Sequence, residues 1–325
     1  MPYRPIVIHR MVAISLATVL AFTVGQALGA CAGQRSGGAA PSTLTASPSA
    51  AAPSISFDPD TYAPRSIPTS ALVGRFGYDR SRPLDIHVLR TRHRGGATIQ
   101  TITYADPAVT ADLVFRTGSH GRGPGVVYAH GGAPGADQFL DEALALVRHG
   151  GAAILPDLPI TMTGDATTDI HFVTEAVVAE RRALDVLVAR PDVDRHRLAF
   201  VGHSWGAELA AIMTGVEPRL SAVAIVCGWS RMSTDMADTA GITGDRSYID
   251  AATVLDGFRF VAIKGLTRKI LIQYGRQDPN IPTVQRTELT HAATGTVTRK
   301  DYDAGHDLIN FPKAAADRLT FLVSQ

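Results

Sequence analysis

Residues 200–209 read Phe-Val-Gly-His-Ser-Trp-Gly-Ala-Glu-Leu, which sets Ser204 between Gly202 and Gly206. An apolar run, RLAFVG, precedes the serine, and an alanine-rich run, WGAELAAIMTG, follows it. The first has the length and branching of a buried strand, the second the composition of a helix. A serine at a sharp strand-to-helix turn sits in strained backbone, and small flanking residues let neighbouring chain approach. The new helix also points its unpaired N–H groups at the serine, where negative charge develops during acyl transfer. The alternative is a glycine turn with no chemistry, so the surrounding sequence has to decide.

The pattern on either side repeats strand and helix. LDIHVLRT (84–91) and TIQTITYA (98–105) read as an antiparallel pair joined across RHRGG, followed by the alternating ADLVFRTG (111–118). GVVYAHGG (125–132), AAILPDLP (152–159), RLAFVG, SAVAIVCG, KILIQYG (269–275) and TVTRKDY (296–302) read as further strands. Amphipathic helices are predicted over 137–150, 170–190, 283–293 and 312–323 and after Ser204. Short apolar strands alternating with such helices predict an α/β fold, with a mostly parallel central sheet covered on both faces. About forty residues between SAVAIVCG and KILIQYG leave room for a small lid, about 229–268, of two or three short helices over a fairly open site.

A serine hydroxyl needs a base within reach and a group to orient that base. Asp278 follows strand 269–275 in GRQDPNIP, and His306 follows strand 296–302 in DAGHDL. Both are placed past the carboxyl ends of predicted strands, where open α/β sheets bind ligands. HGGAPG places His130, Gly131, Gly132 and Ala133 past an earlier strand. The amide of Gly132 or Ala133, with that of Trp205, is a candidate oxyanion hole. His130, Asp157 and Trp229 are candidates to line the substrate site, and so are Met232, Met236 and Tyr248 in the lid. Each has a plainer alternative: loop-ordering for Asp157, structural hydrogen bonding for His130 and lid packing for the others.

Taken together, GHSWG, HGGAPG, GRQDPNIP and AGHDL resemble the α/β-hydrolase superfamily over roughly residues 110–325. Within it the chain is similar to dienelactone-hydrolase-like esterases and to the catalytic domains of prolyl-oligopeptidase-type peptidases. The resemblance implies a serine hydrolase that cleaves carboxylic esters through Ser204, His306 and Asp278 by way of an acyl-enzyme. A peptidase or an acyltransferase of the same fold is the alternative, and a surface lipoprotein without catalysis a more distant one. Ala207-Glu208 departs from relatives, which often carry another small residue there, so the acyl pocket is left open.

The rest of the sequence narrows the setting. The 325 residues are 45% apolar and 19% charged, with a formal net charge of +1, which offers no electrostatic case for nucleic acid. The eleven histidines form no H-E-x-x-H motif, and neither a phosphate loop nor a dinucleotide fingerprint is present. No cofactor or metal is called for; the expected partner is a small-molecule or acylated substrate. The start is a positive segment with Arg4 and Arg10, an apolar stretch over 11–24, and then Leu28-Gly29-Ala30-Cys31. That resembles a bacterial lipoprotein signal over 1–30, with Cys31 the lipidated residue. An ordinary secretory signal and an uncleaved anchor stand beside it, and all three place the body outside the cytoplasm. Residues 31–56, rich in Ala, Ser, Pro and Gly, read as a flexible tether ahead of a single domain over 57–325. With Cys31 in the processed region and Cys227 in an apolar strand, no disulfide is expected.

Overall fold

The computed structural model describes residue 58 and residues 62–325, apart from 106, 119, 120, 133, 134 and 266. The signal, Cys31, the tether and Ala133 therefore lie outside the described residues. Among those described, no helix is long and apolar enough to cross a membrane.

Nine strands among the described residues form one sheet. In chain order they are β1 (His87–Arg94), β2 (Ala97–Tyr104), β3 (Val109–Arg116), β4 (Gly123–Ala129), β5 (Ala152–Pro156), β6 (Val193–His203), β7 (Leu220–Val226), β8 (Lys269–Gly275) and β9 (Thr296–Tyr302). Their spatial order is β1-β2-β3-β5-β4-β6-β7-β8-β9. The first three pair antiparallel, β3 meets β5 antiparallel, and from β5 to β9 every pair is parallel. The β1–β2 turn is tighter than the RHRGG reading, since Arg94 still pairs with Ala97 and only Gly95 and Gly96, both at positive φ, make the turn.

The helices are α1 (Thr69–Gly74), α2 (Leu140–Arg148), α3 (Ala166–Val188), α4 (Trp205–Val216), α5 (Met232–Thr239), α6 (Arg246–Ala252), α7 (Gly257–Val261), α8 (Thr283–Ala292) and α9 (Pro312–Val323). Because successive strand side chains alternate, each parallel strand feeds two cores. Val127, Phe200, Val223 and Ile272 join the core that holds residues of α3 and α4, whereas Val126, Val201, Ala224 and Leu271 join the core of α2 and α9. Helix α3 begins four residues earlier than its apolar spacing suggests, because Asp165 caps it by accepting the Thr168 N–H.

The stretch before β1, which the sequence leaves unplaced, is held by guanidinium groups. Arg181 donates to Phe76 O at 2.6 Å, Arg182 to Arg82 O and Pro83 O at 2.8 and 2.7 Å, and Arg259 to Arg65 O at 2.9 Å. A Pro-, Arg- and Ser-rich strap with few ladder partners thus has its carbonyls satisfied by arginines of the body.

Candidate active site

The question raised by Gly202-His203-Ser204-Trp205-Gly206 has a steric answer. A Cβ on Gly202 would lie 1.9 Å from Gly206 O, and one on Gly206 would lie 2.1 Å from Ala129 O. Neither position accepts any side chain while the strand turns this sharply into α4. Ser204 itself adopts φ 54° and ψ −120°, a conformation an L-residue rarely takes. Its N–H is fixed to Val226 O at 2.9 Å, and its own carbonyl starts the α4 ladder by accepting the Ala207 N–H at 2.8 Å. The serine stays partly exposed while its immediate neighbours are buried.

Three loop ends converge on it. His306 Nε2 lies 3.0 Å from Ser204 Oγ, and His306 Nδ1 lies 2.9 Å from Asp278 Oδ2. Asp278 Oδ1 accepts the Asn280 N–H at 2.8 Å. Burial of Asp278 opposes its charge, but the hydrogen bonds from His306 and Asn280 outweigh this and hold its carboxyl below the usual range. Asp278 does not cap the next helix, since Pro282 occupies that place at α8. Arg286 braces the Asp278 turn by donating to Asp278 O at 2.6 Å, Gly275 O at 2.8 Å and Ile281 O at 2.8 Å.

The His130–Gly132 loop closes the other side. A Cβ on Gly131 would meet Ser204 Cβ at 2.9 Å, so this glycine backs directly onto the Ser204 turn. The Gly131 N–H is already committed to Gln138 Oε1 at 2.9 Å. Gly132 is exposed and open, Ala133 lies outside the described residues, and the Trp205 N–H belongs to the first turn of α4, where an amide has no carbonyl of its own helix to meet. His130 is a brace: Nδ1 contacts Gly131 O at 2.6 Å, and Nε2 accepts the Leu158 N–H at 3.1 Å. Accepting at Nε2 puts the ring proton on Nδ1 and ties the loop after β4 to the loop after β5. Asp157 stands exposed beside it, 3.6 Å from His130 Nε2.

Of the lid aromatics and methionines named, the structure places only Trp229 beside the Ser204–His306–Asp278 cluster, its ring 5.7 Å from that of His306. Met232, Met236 and Tyr248 are buried in the core, and Tyr248 donates to Asp169 at 2.8 Å, so these three fix the lid helices to the body. Glu208 faces neither substrate nor solvent: it is fully buried and neither carboxyl oxygen has a donor. Burial first, and then the charge of the neighbouring Asp235, push its pKa well above the usual range, while burial lifts Asp235 to about 6.

Two residues here escape sequence reasoning. His203 donates Nε2–H to His306 O at 2.9 Å, and its ring lies 5.0 Å from the His306 ring. Burial lowers its pKa to about 4, so the ring is neutral and its single proton goes to this shorter contact. Gln138 holds Gly131 from the turn before α2. The only signal for His203 was its place inside the elbow motif; Gln138 had none.

No protein-family model matches the chain. A probable chloroplastic glutamyl endopeptidase of Arabidopsis thaliana is 27% identical over 146 residues, which is 43% of this chain but only 15% of that protein. Among solved structures, acetyl xylan esterase 1 of Thermoanaerobacterium sp. JW/SL YS485 superposes with a TM-score of 0.65 at 15% identity, over 78% of this chain and 93% of that one. The acetyl xylan esterase of Paenibacillus sp. R4 follows at 0.62 and 18%, over 79% and 92%. An S-formylglutathione hydrolase of Agrobacterium tumefaciens gives 0.57 and 17%, over 73% and 99%. With its mixed sheet, its helices on both faces and these neighbours, the chain has the α/β-hydrolase fold.

Proposed function

We infer that this protein is a serine hydrolase of carboxylic esters. The observation that carries this reading is the continuous hydrogen-bonded chain Ser204 Oγ–His306–Asp278 at 3.0 and 2.9 Å, beginning at a strained, partly exposed serine. Ser204 Oγ attacks the ester carbonyl as His306 Nε2 takes its proton. The Asp278 carboxylate keeps the other ring proton on Nδ1 and stabilises the imidazolium. The oxyanion faces the Trp205 N–H, and Gly132 rather than Gly131 is the described glycine left to assist it, because the Gly131 N–H is committed to Gln138. His306 then protonates the departing alkoxide. Water, deprotonated by the same ring, releases the acid and restores the serine.

The substrate class rests on the solved neighbours, two of which are named for removing acetyl groups from xylan and one for hydrolysing S-formylglutathione. They support a short acyl group on a polar alcohol or thiol. A peptidase reading is favoured by one observation, the 27% identity to the endopeptidase. The body is read as exported and anchored through a lipid on Cys31; release of a Cys31→Ser protein into the medium would support this, and unchanged membrane retention would count against it.

The deciding experiment incubates the protein with a fluorophosphonate probe beside p-nitrophenyl esters from acetate to palmitate and a panel of short peptides. Labelling that Ser204→Ala abolishes, with turnover greatest on the shortest esters, is the expected result. Cleavage of peptides in preference to esters would replace the reading with the peptidase one. A folded protein that neither labels nor turns over any substrate would end both.

A further inference from the structure

Two of the loops that build the triad, together with the loop after β7, also bring together a donor set that the triad does not use as such. Cys227 follows β7, Asp278 follows β8 and His306 follows β9, three adjacent parallel strands. The Cys227 sulfur, a carboxylate oxygen of Asp278 and an imidazole nitrogen of His306 all lie within 4.8 Å of one another. Cys227 is fully buried, with its backbone at φ 52° and its N–H tied to Gln273 O at 2.9 Å. That left-handed turn is costly for a residue with a Cβ, and in this fold it accompanies a thiol set against the triad acid.

We propose that Cys227, Asp278 and His306 form an inhibitory site for a borderline-soft divalent cation, of which zinc is the type. Sulfur, nitrogen and one carboxylate oxygen are the ligands zinc takes, whereas magnesium and calcium seek oxygen alone. Around a tetrahedral zinc such donors stand about 3.4–3.6 Å apart, given bonds of about 2.0–2.3 Å. The Nδ1–Oδ2 pair, now at 2.9 Å, opens by about half an ångström, and the sulfur, within 4.8 Å of its partners, closes by at most about 1.4 Å. Thiolate and carboxylate together neutralise the ion. The Asn280 N–H on Asp278 Oδ1 holds the carboxylate, and the Arg286 guanidinium on Asp278 O acts against the ion. The path in runs past His306, whose side chain is 19% exposed beside Trp229.

The proton balance explains the inhibition. The Cys227 S–H bond breaks, its proton leaves to solvent and an S–metal bond forms. The His306 ring proton moves from Nδ1 to Nε2 as Nδ1 takes the metal. Nε2 then carries a proton and no longer accepts the one from Ser204 Oγ. Binding thus releases one proton per metal. The inhibitory consequence, though not the binding, rests on the reading of His306 as the base. Sequence inspection has no motif to find here, because the three ligands are dispersed over some eighty residues.

The test uses the full chain carrying Cys31→Ser, which leaves Cys227 the sole thiol of two in the sequence. Cadmium chloride titrated into it is expected to give a thiolate-to-cadmium charge-transfer band that saturates at one equivalent and is displaced by zinc chloride. The band should persist in Ser204→Ala, vanish in Cys227→Ser and need at least about ten-fold more cadmium in Asp278→Asn. Zinc at the concentration that displaces cadmium should slow fluorophosphonate labelling of Ser204 at least about ten-fold, and Cys227→Ser should relieve most of that slowing. No band, or a band indifferent to Asp278→Asn and His306→Ala, would overturn the site. Cadmium binding with labelling at its metal-free rate would leave the site standing and overturn its inhibitory role together with the assignment of His306. Absence of labelling without any metal would strike the proposed function alone.

Discussion

His203 Nε2 stands 2.9 Å from the carbonyl oxygen of His306, so a residue of the Ser204 turn holds the backbone of the His306 loop. The two loops otherwise meet through the Ser204–His306 hydrogen bond alone among the polar contacts described. The His203 ring is buried, neutral above about pH 4, and tilted against the His306 ring with centroids 5.0 Å apart. Losing a hydrogen bond of this kind is worth about 1–1.5 kcal/mol, which is about ten-fold in rate if it is felt in the transition state. His203→Ala is expected to lower kcat about ten-fold with KM little changed, and His203→Gln, which keeps a donor, to recover part of it. Steady-state kinetics on a p-nitrophenyl ester decides; equal loss in both variants would mean that packing, not the hydrogen bond, is what matters.

Ser204 holds its backbone at φ 54°, where glycine pays no steric penalty. A residue so placed costs on the order of 1–3 kcal/mol. Ser204→Gly should therefore raise stability by about 1 kcal/mol while removing all labelling, an exchange of stability for function. Thermal unfolding beside Ser204→Ala, which keeps the Cβ, separates backbone relief from loss of the hydroxyl.

Asp256 lies fully buried within the lid segment, its Oδ1 taking the Ser233 N–H at 3.0 Å and its Oδ2 without a donor. Burial raises its pKa to about 7, against the opposing pull of the Ser233 hydrogen bonds, Arg259 and Arg231. A raised folded pKa contributes stability below the unfolded value near 4 and loses it as pH climbs through about 7. At about 1.4 kcal/mol per pH unit, the stake is on the order of 4 kcal/mol. Asp256→Asn, which keeps the acceptor and needs no proton, should stabilise the protein at pH 9 by a few kcal/mol and change it little at pH 5. Urea unfolding at the two pH values measures this; a pH-independent effect would contradict a protonated Asp256.

Arg318, with no exposed surface, donates to both oxygens of Glu142 and to Gln273 Oε1 at 2.9 Å, and it reaches Leu308 O and Ile309 O at 3.3 and 3.4 Å. It binds α9 to α2 and clasps the chain just past His306. Arg318→Met leaves a buried carboxylate without its partner and should cost about 3–5 kcal/mol. The double change with Glu142→Leu should recover most of that loss in stability, but not the kcat lost when the His306 loop is freed. Chemical unfolding of the two variants checks the first part, and kinetics the second.

Much of this architecture is legible in the chain because it follows from local rules. The alternation of short apolar strands with amphipathic helices depends on residues a few positions apart, and strands β8 and β9 and helix α9 begin and end where their sequence patterns do. The pair Gly202 and Gly206 around Ser204 is legible for the same reason, since a turn this tight has no room for a side chain. Legibility falls away where the cause is a distant partner. Arginines roughly a hundred residues away or more hold the strap before β1. Glu208 resembles a surface or substrate-facing residue until α5 covers it with a second acid. Met232, Met236 and Tyr248 have the composition of a pocket lining and are core.

By itself, then, the sequence determined the order of elements, the sharp turn at Ser204 and the placing of Asp278 and His306 just past strand ends, because steric and periodic constraints act within a few residues. Only the tertiary structure decided that His203 reaches the His306 carbonyl, that Gly131 has no amide left to offer, and that Cys227 stands against Asp278. Those relationships arise between parallel strands that are neighbours in the sheet but lie far apart along the chain, and no local pattern encodes them.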